Sequence, residues 1–434
     1  MRESWPHNLS KRYFKLRFLN VVLRLAATGG KFLLVIFLLK FLDSKDYAVY
    51  ILMIASVGYI IFPLGLEFYT YSCREIVSAT PAARTFYIKN QFVVYLFSYI
   101  VFLPIIISIF VFELLPWKII YWFYFILIFE HLNQEVYRLL IALSEQLQAS
   151  IILFIRQGLW PFLLIIMFLS EFVDKTLHAV LAVWGGVSLV AFFLGLTVLS
   201  KHIKDLAKAR VDKSWILRGL KVSLPFLIST AGVNGVLVID KYIVEFNHSL
   251  EYLASYSLYL SISLSLMLII DAWIVQFTYQ KMIILVNQND FLALRKAGSL
   301  MIYSIIFISV IHAIILFSLL ATVIEWTGKK YLVRNHEIIY YLVTYSIINA
   351  LSLMPHCVLY ALKFDKWLTV TGFLNLPIFL TVSYSLYLIN FENAVPLSLL
   401  LTAFFSFVTK FVGYKLKIQK AESFFVSTNK TLSG

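Results

Sequence analysis

The chain has 434 residues, 61% of them hydrophobic and 14% charged, with a mean hydropathy of +0.85 and a formal net charge of +14. A water-soluble domain of this composition would expose far too much apolar surface, which excludes the soluble globular classes and points to an all-α integral membrane protein. Cys73 and Cys357 have no metal or redox spacing, and neither a glycine-rich phosphate loop nor a soluble catalytic domain is visible, so a non-enzyme without metal or cofactor is expected.

Apolar runs of membrane-spanning length recur along the whole chain. They predict about twelve transmembrane helices, at residues 18–39, 47–66, 88–112, 117–143, 150–170, 178–199, 219–242, 252–275, 299–324, 337–361, 367–389 and 394–416. Residues 1–17 are polar and basic and show no cleavable signal pattern, so the first apolar segment is expected to act as an uncleaved insertion signal. Lys and Arg concentrate in the N-terminal arm, between the sixth and seventh segments and in the tail. This places both termini on the cytoplasmic side. The positive charge is then topology and attraction to anionic membrane lipids, and no nucleic-acid partner is implied.

A short echo divides the chain. Phe41-Leu42-Asp43-Ser44-Lys45-Asp46-Tyr47 and Phe246-Asn247-His248-Ser249-Leu250-Glu251-Tyr252 share Phe-x-x-Ser-x-acid-Tyr. Each follows one apolar segment and precedes another. The basic run Lys201, Lys204, Lys208, Arg210, Lys213, Arg218 and Lys221 lies between the copies. This predicts two six-helix lobes, residues 1–210 and 211–434. An even number of helices per lobe makes the pseudo-repeat parallel, around a central cleft. Pro63, Pro104, Pro161, Pro225, Pro355 and Pro377 fall inside apolar spans, as static bends or as hinges.

Charge at bilayer depth is costly and therefore marks candidate sites. In the first segment Arg17, Arg24 and Lys31 recur every seven residues, within about 20° of one line. Arg24 lies roughly 9 Å into the span and either snorkels or faces a cavity; Lys31, about 20 Å in, calls for a wet cavity or an acidic partner. The fourth segment holds Glu130, His131, Gln134, Glu135 and Arg138 in an arc of about 140°, with Phe125, Leu132, Val136 and Leu139 opposite. The pairs His131–Glu135, Gln134–Arg138 and Glu135–Arg138 can neutralise one another locally. The arc is either a structural charge network or a cavity wall whose arginine binds an anion and whose acids couple to an ion. Arg156 adds a cation in the fifth segment. Asp240 and Lys241 close the seventh; about 100° apart, they are expected to find separate partners. The candidate substrate-binding residues are Arg24, Lys31, Arg138 and Arg156. Those for ion coupling or a charge network are Glu130, His131, Glu135, Asp240 and Lys241. The cation surplus of the first half suits an anionic cargo.

Several stretches resemble Wzx-type O-antigen flippases, polysaccharide transporters of the multidrug/oligosaccharidyl-lipid/polysaccharide exporter superfamily. They are residues 41–50, Glu135-Val136-Tyr137-Arg138, Arg156-Gln157-Gly158-Leu159-Trp160-Pro161, and Leu224-Pro225 running to Asp240-Lys241. Asp46 and Glu251 stand where that family often has glycine, and Lys241 where arginine is common. The resemblance implies twelve helices in two lobes in a bacterial inner membrane. It also implies ion-coupled alternating access that moves an undecaprenyl-pyrophosphate-linked oligosaccharide to the outer leaflet, with a polysaccharide polymerase and a chain-length regulator as possible partners. A membrane polymerase or glycosyltransferase is disfavoured by the absence of a sizeable outer loop, and a multidrug exporter of the same fold by the cationic first half.

Overall fold

The computed structural model describes residues 7–432; the side chains of residues 7–18, 21, 24, 28, 78, 82, 276, 277 and 420–432 lie outside the described set. Helices fill nearly all of it, and no strand occurs among the described residues. A chain this apolar must satisfy its backbone polar groups within each segment, which helices do. Each of the twelve predicted segments is a long helix. In the first half these are α1 (His7–Phe41), α2 (Ser44–Gly65), α4 (Pro81–Ile106), α5 (Ile120–Ala142), α6 (Gln146–Leu169) and α7 (Leu177–Ser200). In the second half they are α8 (Lys213–Asn247), α9 (Leu250–Ile270), α10 (Phe291–Thr327), α11 (Ile338–Ala361), α12 (Asp365–Leu388) and α13 (Ala394–Leu432). A shorter α3 (Tyr69–Ser78) falls where only a loop was expected. Among the described residues, ten of these helices are long and apolar enough to cross a membrane. The other two long ones, α1 and α5, carry the in-membrane charge that singled them out in the sequence. Several helices overrun the apolar segments: α8 and α10 extend at both ends, and α9 continues through a π-helical turn, Asp271–Val275, to Asn287.

The chain forms two compact units, Met1–Leu227 and Ile228–Gly434, and passes from one to the other inside α8, two residues after Pro225. The basic stretch before α8 belongs to the first unit because side chains of α4 tie it down. Lys89 Nζ donates to the carbonyls of Ala207 (3.2 Å) and Ala209 (2.6 Å). Asn90 both donates to Arg210 O (3.1 Å) and accepts from Asp212 N (2.8 Å), and Thr85 Oγ1 accepts from Lys204 N (3.0 Å). Asp212 accepts from Trp215 N at 3.0 Å, and that bond is the main reason its carboxyl is held below the usual range. Trp215 packs among Phe68, Tyr71, Phe86 and Tyr87, with ring centroids 5.1–6.0 Å away. The stretch is therefore pinned, not slack.

The sequence echo marks equivalent junctions. Asp43 caps α2, its Oδ1 accepting from Asp46 N at 2.7 Å; Ser249 caps α9, its Oγ accepting from Tyr252 N at 3.2 Å. The caps are one register apart, but the acids and tyrosines match. Asp46 pairs with Lys118 (3.3 Å), just before α5, and Glu251 pairs with Arg334 (3.1 Å), just before α11. These are the fourth and tenth long helices, which a six-helix repeat makes equivalent. Tyr47 and Tyr252 are both buried. Each cap satisfies a backbone donor that the helix cannot. Asp43→Ala and Ser249→Ala are each expected to cost about 0.5–2 kcal/mol, read as a lower thermal midpoint of the purified protein.

Candidate functional site

The polar arc of α5 is buried inside the first unit, and four helices supply its partners. Glu130 is the hub. Its Oε2 accepts from Arg156 Nε of α6 at 2.6 Å, and its Oε1 accepts from Trp184 Nε1 and Ser188 Oγ of α7, both at 2.9 Å. Arg156 Nη2 donates to Gln134 Oε1 at 3.1 Å, and Asn133 Nδ2 to Ser188 O at 2.7 Å. Trp160 lies flat against Trp184, centroids 5.4 Å apart and planes 9° from parallel. The expected Gln134–Arg138 pair does not form, because the cross-helix guanidinium of Arg156 takes the amide oxygen.

Arg156 sits in a π-helical turn, Ile155–Leu159. Pro161 follows, and it has no N–H to bond the carbonyl four residues back, so the helix widens there. Gly158 in the same turn lets α1 approach. A Cβ on Gly158 would lie 2.7 Å from Ala27 Cα, and one on Gly30 would lie 3.2 Å from Gly158 O. This close packing delivers Lys31 of α1 to the neighbourhood of Glu130 and Arg156, the two charges it feels most. Lys31 makes no hydrogen bond to any described residue. Arg24 is one of those whose side chain lies outside the described set.

A second cluster lies further along α5. Glu135 pairs with Arg138 at 2.5 Å, as the spacing predicted, and also accepts from Tyr95 Oη and, at 3.2 Å, from Gln91 Nε2 of α4. Ser72 of α3 donates to Gln91 Oε1 at 2.8 Å, and the Arg138 guanidinium lies 3.6 Å from the ring centre of Tyr69. His131 does not pair with Glu135: its Nδ1 bonds Tyr99 Oη at 2.6 Å. Gly65 of α2 keeps the site narrow, since a Cβ there would meet His131 Nε2 at 3.1 Å. On the opposite face Val136 and Leu139 pack with Ile152 and Leu199, anchoring the charged stripe to an apolar core.

In the second unit the expectation for Asp240 and Lys241 is corrected. They pair with each other, Nζ to Oδ1 at 3.2 Å, because the lysine stem folds back to reach both its neighbour and Leu237 O (2.6 Å). Tyr256 Oη donates to Asp240 Oδ2 at 2.5 Å. Neither cysteine is in a disulfide, and no group of three or more His, Cys, Asp or Glu placed to hold a metal occurs among the described residues.

The partners Gln91, Tyr95, Tyr99, Trp184 and Ser188 had not been singled out in the sequence. Their i,i+4 spacing on α4 and on α7 was the available signal.

No protein-family profile matches the chain, and no curated protein matches it in sequence. Solved structures do. A multidrug resistance MATE family transporter of the MOP superfamily, in an inward-facing conformation, aligns with a TM-score of 0.74 at 12% identity, covering 93% of this chain and 99% of that one. A point mutant of the Vibrio cholerae MATE transporter VcmN aligns at 0.61, with 12% identity over 95% and 97% of the two chains. A MATE protein in complex with MaD3S aligns at 0.64, with 12% identity over 93% and 95%. The chain is an all-helical, multi-pass membrane protein with the fold of the MATE transporters.

Proposed function

We propose that this protein is a flippase that carries an anionic, lipid-linked oligosaccharide of the undecaprenyl-pyrophosphate type from the cytoplasmic to the outer leaflet by alternating access, in a bacterial cytoplasmic membrane. The observation that carries the reading is how the charges around the α5 clusters pair. Glu130 and Glu135 are each taken up by an arginine, while Lys31 is left without a hydrogen-bonding partner among the described residues. Lys31 is half-buried, and Glu130, the acid beside it, is already taken up by Arg156; charge at bilayer depth is costly, and an anionic group would supply a further counter-charge. In this reading Lys31, with Arg24, meets the cargo. Arg156 and Arg138 hold the site's shape while lending charge to it. Glu130, His131, Glu135, Asp240 and Lys241 form the networks through which an ion gradient is coupled. A polysaccharide polymerase and a chain-length regulator would act on the product.

Multidrug export is the second reading, favoured by the solved transporters of this fold. A fold is shared across cargoes and does not choose among them. The charge pattern speaks against a cationic drug, since neither α5 carboxylate of the buried clusters is free to receive one.

Lys31→Met is expected to impair transport while the protein still inserts. Losing one hydrogen bond to a charged group costs about 1.5–3 kcal/mol, roughly ten- to a hundredfold in affinity. The check is a deletion strain carrying the variant, with the surface polysaccharide ladder followed by gel and the lipid-linked repeat unit by mass spectrometry. Loss of the ladder with finished units retained on the cytoplasmic leaflet supports the flippase. Single units reaching the outer leaflet would indicate a polymerase instead, and an intact ladder in the full deletion would favour drug export.

A further inference from the structure

The cluster around Glu130 has more donors than acceptors. Arg156 uses Nε and Nη2, but its Nη1 is buried and has no partner among the described residues. Trp160 is fully buried and its Nε1 also lacks an acceptor among the described residues, although its ring stacks on the very tryptophan that bonds Glu130. Lys31 adds an ammonium beside them. Two cations therefore face one carboxylate whose oxygens already accept three bonds. Asn133 Oδ1 is buried and likewise without a partner among the described residues, but a neutral amide oxygen cannot offset a net positive charge. Arg156 and Trp160 are four residues apart across the π turn, so they project to the same side of α6. Both side chains reach partners of Glu130 or Glu130 itself, and α1 presents Lys31 from across the Gly30–Gly158 contact.

We propose that the first unit binds one halide-sized monovalent anion between Lys31 Nζ, Arg156 Nη1 and Trp160 Nε1. Size follows from burial: Arg156 is 3% exposed and Trp160 not at all, so a pyrophosphate with its glycan cannot reach these two donors, and any ligand there must be a small ion. The ion balances the surplus charge and takes up the two orphaned N–H groups, each costly to leave unsatisfied. The proposal shares Lys31 with the cargo reading but does not depend on it, because it concerns the protein at rest and is read by equilibrium binding. A resident ion of this kind would balance the lysine's charge while no cargo is bound.

The test uses the purified full chain in detergent at constant ionic strength, with sodium gluconate replaced stepwise by chloride or bromide. The thermal midpoint is expected to rise by a few degrees and to keep rising with the logarithm of halide concentration, as for a ligand that binds only the folded state. Lys31→Met should melt in gluconate at or above the parent, since it removes a surplus cation, and lose the halide response. Trp160→Phe keeps the ring and removes only the donor; it should weaken halide affinity severalfold, and it serves if the lysine variant does not fold. Equal midpoints in chloride, bromide and gluconate would overturn the proposal and leave a water at these donors. A halide response that survives in both variants would overturn it too, by placing the ion elsewhere. Transport by the parent protein in halide-free gluconate would leave either result unchanged.

Discussion

Glu130→Ala is expected to be the most damaging single substitution in the first unit. It removes the acceptor from Arg156 Nε, Trp184 Nε1 and Ser188 Oγ at once. Above all it leaves a guanidinium buried, since the side chains of Arg156 and Glu130 are 4% and 7% exposed. Breaking a buried pair from one side costs about 3–5 kcal/mol, a large share of the stability of any domain. The expected result is a collapse of the monodisperse fraction in detergent, with a strongly lowered thermal midpoint in whatever remains. Glu130→Leu combined with Arg156→Leu removes both charges and should recover much of the folded yield, because a buried ion pair is often replaceable by apolar packing. The recovered protein should be inactive in transport. Glu135→Ala makes the contrast. Arg138 keeps the face of Tyr69 and is 14% exposed, so it retains a partial partner, and the loss should be smaller. If the two glutamate variants were equally mild, the Glu130 network would not be what holds α5, α6 and α7 together.

The architecture was readable because the physics behind it is one-dimensional. Hydropathy alone located twelve long helices, since a bilayer requires each span to satisfy its own backbone. It missed α3 because ten residues that include Tyr69, Ser72, Arg74 and Glu75 carry no membrane-length signal. Within the site, the sequence picked out the residues of α5 better than their partners. Spacing along one helix says which side chains can meet, as it did for Glu135 and Arg138, but other helices compete for the same atoms. Arg156 displaced Arg138 at Gln134, and Tyr99 displaced Glu135 at His131. Those competitors lie 22 and 32 residues away in the chain, and no periodicity reports them. Asp240 and Lys241 failed differently. The angle between adjacent Cβ positions was right, but a lysine stem is long enough to fold back across it.

Gly158→Ala is the second substitution with a large expected effect, and neighbouring glycines supply its controls. A Cβ at Gly158 would lie 2.7 Å from Ala27 Cα and 2.8 Å from Phe154 Cδ2. The phenyl ring can turn, but a backbone atom of α1 can move only if the whole helix does. Overpacking of this kind costs about 1–3 kcal/mol, and here the cost falls on the contact that places Lys31. At Gly30 the nearest atom is the ring edge of Phe162 at 3.1 Å, with Gly158 O at 3.2 Å, so Gly30→Ala should be tolerated with a smaller loss. At Gly29 nothing lies within 4 Å, and alanine there should be neutral or stabilise by about 0.5–1 kcal/mol, as it removes glycine's entropic cost in a helix. The three thermal midpoints should therefore fall in the order Gly29→Ala, Gly30→Ala, Gly158→Ala. Transport should fail in the last of them even in the fraction that remains folded, because α1 would carry Lys31 away from Glu130 and Arg156. A Gly158→Ala protein that melted like the parent and transported normally would show that α1 does not rest on the π turn, and that Lys31 reaches its place some other way.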